Sequence, residues 1–371
     1  MSHIPESCDL QSYCFDLPEE LIAQQPGERR DASRLMVLER ATGRRRIVPF
    51  AEIGTVLPPG ALLVANNSRV LPARVFGHKA TGGRVEFLLL TPLPLLAASA
   101  PDADGFRSAQ AECLLRSAKK PRPGERIAFG DEFHLIVESR GDFGKSLVTL
   151  RWRGDLADHF MRQGHLPLPP YIRRPDQDSD RERYQTVYSR EDKLGSAAAP
   201  TAGLHFSPEL KASLASAGFG WSELTLYVGY GTFSPVRVQD IREHVMHREY
   251  IEIPEQTAAA IREAKSQGRP VVAVGTTSAR ALEGAFAQTR NQAGAQAGEV
   301  AAFSGWTDIF MRPGYEFKVV EHLLTNFHLP GSSLIMLVSA LAGRETVLEA
   351  YRQAVEERMR FFSYGDAMLV L

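Results

Sequence analysis

Two histidines stand beside segments that begin helices, and each is a candidate for proton transfer or ligand binding. His205 nearly closes the segment 197–206, whose small residues leave room for a bulky ligand or for a crossing backbone. Asn326 and His328 belong to Thr325-Asn-Phe-His-Leu-Pro330, a polar turn before an apolar run. This turn can hold a ligand or simply cap a helix. Because an imidazole titrates near neutral pH, both histidines are candidate acids or bases.

A second candidate site follows the strand-like run Val271 to Val274, which ends in Gly275-Thr-Thr-Ser278. A turn of this kind offers backbone N–H groups and hydroxyls to a carboxylate, phosphate or ribose. The segment lacks the Gly-Lys-Ser/Thr of a Walker loop and the spacing of a dinucleotide fingerprint. An ordinary capped turn between a strand and a helix explains it equally well.

Glycines mark a third connection, Tyr227-Val-Gly-Tyr-Gly-Thr-Phe233, just after another strand-like run. Gly229 and Gly231 there allow the backbone to approach a ligand closely, and a tight turn would use them in the same way. Strand ends of a parallel α/β fold converge on one face. We therefore expect segments that are distant in sequence to share one pocket.

Histidines are numerous enough to raise the question of a metal site. His244 and His247 lie three residues apart, which places them on one face of a helix but on opposite faces of a strand. The His-Glu-x-x-His pattern is absent, and the three cysteines are scattered without Cys-x-x-Cys spacing. We expect no metal.

Charge and composition limit the classes of function. Lys and Arg number 43 and Asp and Glu 44, so net charge alone does not attract nucleic acid. Three basic runs stand out, and they include Arg29, Arg30 and Arg34, then Arg44 to Arg46, then Arg116, Lys119, Lys120, Arg122 and Arg126. Solvated loops explain any single run, whereas three runs favour a local surface for a polyanion. Unpaired cysteines and the absence of a leader or a membrane-length apolar run predict a cytoplasmic protein.

The order of strand-like and helix-like segments predicts two domains. Short strand-like runs separated by turn signals fill residues 62–152 and indicate a small antiparallel β-barrel. Strands alternate with helices from about residue 154, which indicates a parallel α/β architecture. We predict an α/β-barrel-like main domain from residues 1–61 and 153–371, with 62–152 inserted. An open doubly wound sheet is the alternative for the main domain.

The ordered set of motifs resembles the S-adenosylmethionine:tRNA ribosyltransferase-isomerase family of queuosine biosynthesis. The similarity begins at Phe15-Asp-Leu-Pro18 and covers nearly the whole chain. Its motifs are Asn66-Asn-Ser-Arg-Val-Leu-Pro-Ala-Arg74, Gly164-His-Leu-Pro-Leu-Pro-Pro-Tyr-Ile172, Tyr184-Gln-Thr-Val-Tyr188, Ala199-Pro-Thr-Ala-Gly-Leu-His-Phe206, Gly231-Thr-Phe-Ser-Pro-Val236, His244-Val-Met-His247, Gly275-Thr-Thr-Ser278, Thr325-Asn-Phe-His-Leu-Pro330 and Phe362-Ser-Tyr-Gly-Asp366. The chain departs from the family pattern at Tyr227, where a His is usual, and at Arg312, where a Tyr is usual.

The resemblance implies a fold and a reaction. The fold is an α/β barrel with an inserted β-barrel. In the reaction, the ribosyl part of S-adenosylmethionine is transferred to 7-aminomethyl-7-deazaguanine at the wobble position of tRNA and rearranged. The products are epoxyqueuosine in tRNA, adenine and methionine. The expected partners are therefore S-adenosylmethionine, which is consumed, and tRNA, with no prosthetic group and no membrane. The oligomeric state stays open.

This reaction needs a base, an acid, groups that bind ribose hydroxyls and an anchor for the methionine carboxylate. We predict His205, Arg280, His328 and Glu283 as catalytic, with Glu283 as a partner of ribose or ammonium. The predicted substrate-binding residues are Tyr184, Tyr188, Thr201, Gly229, Gly231, Thr232, Gly275, Thr276, Thr277 and Asn326. Which residue is the general base and which surface contacts tRNA stay open.

Two other classes of function compete with this interpretation. The histidines would suit a metal-dependent α/β-barrel hydrolase, and the basic runs with the small barrel would suit a noncatalytic tRNA-binding module. Metal analysis distinguishes the hydrolase, and adenine release distinguishes the binding module.

Overall fold

The computed structural model describes residues 4–141, 144–229, 236–289 and 300–371. Its strands are Arg34–Glu39 (β1), Arg44–Pro49 (β2), Leu62–Asn66 (β3), Arg69–Val70 (β4), Arg74–Lys79 (β5), Arg84–Leu89 (β6), Arg107–Arg116 (β7), Arg126–Ala128 (β8), Phe133–Arg140 (β9), Lys145–Trp152 (β10), Leu194–Ser196 (β11), Gly220–Leu226 (β12), Glu249–Ile253 (β13), Val271–Val274 (β14), Phe303–Thr307 (β15), His322–Asn326 (β16) and Ala367–Val370 (β17). The α-helices are Leu156–Gln163 (α1), Asp178–Arg183 (α2), Pro208–Ser216 (α3), Glu255–Ser266 (α4), Thr276–Thr289 (α5), Ser333–Ala342 (α6) and Arg344–Glu356 (α7). None of the helices in these ranges is both long and apolar enough to cross a membrane.

The main domain is built on a nine-stranded sheet with the order β15-β13-β12-β3-β14-β16-β17-β1-β2. Strands β12, β3, β14 and β16 run parallel at its centre. Every residue of β3 and β14 is buried, as expected for parallel strands covered on both faces. The carboxyl ends of β14 and β16 therefore open at the same edge of the sheet, where ligands bind in open α/β folds.

The predicted α/β class with an inserted β-barrel is confirmed, and the main sheet adds a detail that the sequence did not give. An α/β barrel closes eight parallel strands into a ring. In the described part of this chain, the sheet has a linear order and includes antiparallel pairs on both sides of its parallel centre, β16 with β17, β1 with β2, and β12 with β13. Antiparallel strands at both sides of the sheet thus take the place of further strand–helix repeats.

The inserted domain is a closed barrel of six strands in the order β10-β7-β6-β5-β8-β9, and each neighbouring pair that is described is antiparallel. Burial alternates along β10, so that every second side chain points into the barrel. Phe160 of α1 packs against Phe87 and Phe133 of the barrel core. The predicted start at residue 62 needs correction, because β3 pairs inside the main sheet and the barrel strands begin with β5.

Two helices begin where β14 and β16 end. Gly275 joins β14 to α5 with a φ of 91°, a conformation that L-residues with side chains rarely adopt. After β16, Ser332 caps α6 by accepting a hydrogen bond from the N–H of Ile335 at 3.4 Å. Both helix N-termini, with their unpaired N–H groups, thus lie on the same side of the sheet.

A buried carboxylate joins α2 to the C-terminal segment of the chain. Asp180 accepts two hydrogen bonds from Arg174, at 2.6 and 2.8 Å, and one from the hydroxyl of Tyr364 at 2.7 Å. It also accepts the N–H of Gln177 at 2.8 Å. Burial acts to raise the pKa of Asp180, but these hydrogen bonds outweigh it and hold the pKa below its ordinary value.

We expect Asp180→Asn to lower the free energy of unfolding by about 3 kcal/mol, because it leaves Arg174 without its buried counter-charge. Asp178→Asn, an exposed change in the same helix, is the matched control and should have little effect. Urea unfolding at pH 7 measures both. Equal stability of the two variants would show that the Asp180 carboxylate does not hold this segment.

Candidate active site

An open cavity of about 670 Å³, measured out to solvent, lies at the carboxyl ends of β14 and β16. Its walls come from the segment before α3, from the starts of α5 and α6, and from the turn before β17. They consist of Tyr171, Ala198, Ala199, Thr201, Ala202, Val228, Gly275, Thr276, Thr277, Thr325, Asn326, Phe327, His328, Leu329, Ser332, Leu334, Phe362 and Ser363.

Much of the sequence-based site prediction meets in this cavity. Thr201, Gly275, Thr276, Thr277, Asn326 and His328 all line it. None of the described lining residues is Asp, Glu, Lys or Arg, so hydroxyls, an amide and an imidazole supply the polar contacts. The cavity therefore suits a polar ligand that carries hydroxyls, while the two helix N-termini favour a carboxylate.

His205 lies behind Asn326, and its two ring nitrogens are both engaged. Its Nδ1 is 2.7 Å from the hydroxyl of Ser33 and its Nε2 is 3.1 Å from Nδ2 of Asn326. The same Nδ2 donates to the carbonyl of Phe362 at 3.0 Å, which fixes the orientation of the amide. Because Nδ2 can only donate, Nε2 of His205 accepts and Nδ1–H donates to Ser33. His205 is therefore a neutral imidazole that orients Asn326.

Two buried oxygens on the cavity wall have no protein partner among the described residues. They are Oδ1 of Asn326 and the hydroxyl of Thr277. A buried polar atom without a partner costs free energy, and such atoms in folded proteins usually meet water or a ligand. Hydroxyl or amine groups of a ligand would satisfy both.

Burial keeps the two site histidines uncharged. It lowers the pKa of His205 to about 4, with the Asp366 carboxylate acting in the opposite direction. It lowers the pKa of His328 to about 3. His328 Nε2 lies 2.7 Å from the hydroxyl of Thr325, and its backbone N–H donates to Tyr351 at 3.0 Å. Near pH 7 both imidazoles are therefore neutral and His328 is exposed to the cavity as a hydrogen-bonding group.

Glu283 does not reach the cavity. Its carboxylate accepts the Tyr315 hydroxyl at 2.9 Å and the backbone N–H groups of Lys318, Val319 and Val320 at 2.9 to 3.1 Å. These donors occupy a carboxylate that is fully buried. Glu283 therefore holds the segment before β16 in place. The contact with ribose or ammonium that the sequence predicted is not available to it in this position.

Arg280 is also turned away from the cavity. It forms a buried ion pair with Glu249 of β13, and Glu249 accepts the N–H of Gly229 at 3.0 Å. The ion pair therefore links α5 to β13, and the hydrogen bond from Gly229 links both to the segment that follows β12. The predicted contacts Gly231 and Thr232 fall outside the described residues.

Tyr184 and Tyr188 support the site from behind and do not line the cavity. A Cβ on Gly203 would lie 1.9 Å from the Tyr188 hydroxyl, so only glycine lets the Thr201–His205 turn rest on this ring. Tyr184 packs edge-on against Tyr364 with 5.8 Å between ring centroids. Tyr188 thus packs against the turn that carries Thr201 and His205, and Tyr184 shares a buried cluster with Leu204 of that turn.

Sequence reasoning missed several residues of the site. The Tyr171 hydroxyl lies 2.7 Å from that of Ser363, and both line the cavity. Both belong to motifs that carried the family resemblance, so motif membership was the available signal. Ser33 belongs to none of them, and its contact with His205 spans 172 positions of sequence.

Metal ligands do not cluster in the described part of the chain, where no group of three or more His, Cys, Asp or Glu is placed to hold an ion. Burial lowers the pKa of His244 and of His247. The expectation of a metal-free site stays a prediction.

Comparison with known proteins extends over the whole of this architecture. The family model described as "Queuosine biosynthesis protein" matches residues 10–370. A protein of Oleidesulfovibrio alaskensis named S-adenosylmethionine:tRNA ribosyltransferase-isomerase is 62% identical over 362 residues, which cover 98% of this chain and 93% of the relative. A protein of the same name from Syntrophotalea carbinolica is 48% identical, and the match covers 98% of this chain and 99% of the relative. The crystal structure of S-adenosylmethionine tRNA ribosyltransferase from Thermotoga maritima has a TM-score of 0.52 and 36% identity, and the match covers 97% of this chain and 100% of that one. Both of these relatives from Oleidesulfovibrio and Syntrophotalea are named S-adenosylmethionine:tRNA ribosyltransferase-isomerase. The chain therefore belongs to the queuosine biosynthesis protein family.

Proposed function

We propose that this enzyme transfers the ribosyl group of S-adenosylmethionine to 7-aminomethyl-7-deazaguanine at the wobble position of tRNA and isomerises it. The products are epoxyqueuosine in tRNA, adenine and methionine. The observation that carries the proposal is the cavity, on which the family motifs around Thr201, Gly275, Asn326 and Ser363 converge. S-adenosylmethionine is a consumed substrate, no prosthetic group is needed, and the work takes place in the cytoplasm.

The side chains of the cavity are compatible with a sulfonium substrate. Its described lining has no Lys or Arg to repel the cation, and both site histidines are uncharged near pH 7. The N-termini of α5 and α6 offer backbone N–H groups to the methionine carboxylate. The alanines at 198, 199 and 202 leave space for the adenine ring, and the threonines offer hydroxyls to the ribose.

The reaction needs proton transfers at several points. The sulfonium makes the neighbouring ribose carbon acidic, the aminomethyl group of the acceptor must lose a proton to become a nucleophile, and adenine leaves more readily when protonated. His328 is a titratable group on the cavity wall with an ordinary pKa near neutral pH, and we assign proton transfer to it. Because its site is desolvated, its imidazolium form is a strong acid, which suits protonation of the departing base.

His205 has a different task in this proposal. Both of its nitrogens are held by Ser33 and Asn326, so it cannot exchange a proton with substrate without breaking that arrangement. It acts as a positioning residue that leaves Oδ1 of Asn326 as an acceptor for a substrate hydroxyl or amine. Arg280 and Glu283 hold the frame of the site.

The purified protein is given S-adenosylmethionine and tRNA that carries 7-aminomethyl-7-deazaguanine. We expect it to release one adenine and one methionine for each tRNA that it modifies. Chromatography of the small molecules and mass analysis of the tRNA nucleosides measure the three products. Activity that survives a metal chelator separates this enzyme from a metal-dependent hydrolase. Formation of S-adenosylhomocysteine and methylated tRNA would refute the proposed reaction, and tRNA binding without adenine release would favour a binding module.

We expect His328→Gln to lower turnover by about 100-fold or more while the unfolding temperature changes little, because it removes a proton-transfer group from the cavity wall. Glu283→Gln should lower the unfolding temperature and leave turnover almost unchanged, since it weakens a buried group of hydrogen bonds away from the cavity. Single-turnover kinetics and thermal unfolding, measured on both, separate the two roles. Glu316→Gln, a change at an exposed position near the same segment, is the control for Glu283. If His328→Gln keeps normal turnover, the assignment of proton transfer is wrong.

The protein should lose stability as pH falls from about 6.5 towards 4. The unfolded chain takes up protons at the ordinary histidine pKa of 6.5, whereas folded His205 and His328 stay neutral down to about 4 and about 3. The unfolded state therefore binds more protons in this window, which costs the folded state about 2 kcal/mol per histidine at pH 5.

Urea midpoints at pH 7 and pH 5 test this expectation. His328→Gln should reduce the loss between the two pH values, while His78→Gln, at an exposed position, should leave it unchanged. An equal loss in the wild type and in His328→Gln would contradict the buried neutral state of His328.

A further inference from the structure

A second pocket, of about 320 Å³, lies on the other side of His205 from the cavity. Arg30, Arg183 and Arg360 form its walls, with Arg29 beside them. Ser363 lines both the pocket and the cavity, and His205 in the pocket is hydrogen-bonded to Asn326 in the cavity. A ligand in this arginine pocket therefore sits one side chain away from a ligand in the cavity.

Among the described residues, two arginines of this pocket, Arg30 and Arg183, lack the carboxylates that usually neutralise such a group. Arg30 donates to the carbonyls of Glu182 at 2.9 Å and Leu204 at 3.5 Å. Arg183 donates to the carbonyls of Gly27 at 2.7 Å and Glu28 at 3.1 Å. Within the described ranges neither guanidinium forms an ion pair, and Nε of Arg183 is buried without a hydrogen-bond partner.

The remaining arginines keep donors available as well. Arg360 approaches Asp366 only to 3.9 Å, because that carboxylate already accepts the backbone N–H groups of Arg34 and Arg360 at 2.9 and 2.8 Å. Arg29 pairs with Asp31, but its side chain is 75% exposed and extends the positive surface towards solvent. Burial, and then the charge of Arg183, lowers the pKa of Arg30.

Like charges held together without counter-charge destabilise each other, and a bound anion removes that cost. Phosphate is the anion that several guanidinium groups bind best, since each presents parallel N–H donors to its oxygens. A single methionine carboxylate would leave most of these donors unused and already has the helix N-termini of α5 and α6 in the cavity.

We infer that the arginine pocket binds a backbone phosphate of the tRNA, next to the nucleotide whose base enters the cavity. The inference rests on the proposed function. It also explains how a chain with a net charge of −1 can hold a polyanion, because the positive charge is concentrated where the acceptor must dock. The exposed Arg29 lies where the polymer would continue away from the pocket.

Two charge-removing variants test the inference, Arg183→Gln and Arg360→Gln. Arg181→Gln is the matched control. Arg181 lies two residues before Arg183 on α2 and also donates to backbone carbonyls, those of Met161 and Gly164, but it does not line the pocket. The measurements are the affinity for tRNA carrying 7-aminomethyl-7-deazaguanine over a range of salt concentrations, the affinity for S-adenosylmethionine, and thermal unfolding.

We expect each pocket variant to weaken tRNA binding by about tenfold at low salt. Each should also reduce the slope of log affinity against log salt, by up to about one, because the contact with one phosphate is weakened. The affinity for S-adenosylmethionine and the behaviour of Arg181→Gln should match the wild type. In the described part of the chain the Arg360 side chain donates to no backbone carbonyl, so Arg360→Gln keeps the test valid if Arg183→Gln unfolds.

Two outcomes would overturn the inference. An unchanged salt slope in a folded Arg360→Gln variant would show that no phosphate binds there, and weaker binding of S-adenosylmethionine with unchanged tRNA binding would assign the pocket to the carboxylate. Both leave adenine release by the wild type intact. Failure of the proposed function would instead appear as a wild-type protein that releases no adenine.

Discussion

The site depends on keeping the imidazole of His205 neutral. Its Nε2 must accept from Asn326 while Nδ1–H donates to Ser33, and a protonated ring would set two donors against each other at Nε2. Burial enforces the neutral form by lowering the pKa to about 4. This one ring joins the segment before β1, the Thr201–His205 turn and the end of β16. Three stretches that are far apart in sequence thus acquire a fixed relative position.

The two sides of His205 have opposite electrostatic characters. The described wall of the cavity has no charged side chain, whereas the arginine pocket collects guanidinium groups with little counter-charge. A sulfonium cation and a polyanion make opposite demands, and one mixed site would attract each substrate to the place of the other. In the proposed function, separating the charges by one buried neutral ring would let both substrates approach within a short distance. Ser363, shared by both walls, marks where they meet.

The sequence predicted the convergence of Thr201, Gly275, Asn326 and His328, because the ends of parallel strands open at one edge of a sheet. Glu283, also predicted for the site, lies outside the cavity, because it is seven residues into α5 and hence about 10 Å along the helix axis from the N-terminus that faces the cavity. Arg280, predicted as catalytic, is turned away from the cavity because the carboxylate that attracts it, Glu249, belongs to a strand remote in sequence. The sequence reports which residue types are present, and distance along a helix can be derived from it. Partners that only tertiary structure brings together cannot be derived in this way.

The insertion point of the barrel follows from the same geometry. Strand β3 lies between β12 and β14 and ends at the sheet edge that holds the cavity, where Asn66 accepts the N–H groups of Ser68 and Leu226 at 3.0 Å. The chain then leaves for the barrel through β4, which pairs with β11 just before the cavity-lining alanines. An isolated antiparallel bridge between Arg74 and His165 joins the first barrel strand, β5, to the segment that follows α1. Because the polypeptide enters and leaves the barrel at the site edge, the barrel is held beside the cavity by backbone pairing. In the proposed function, a tRNA whose modified base entered the cavity would therefore have a second domain next to it.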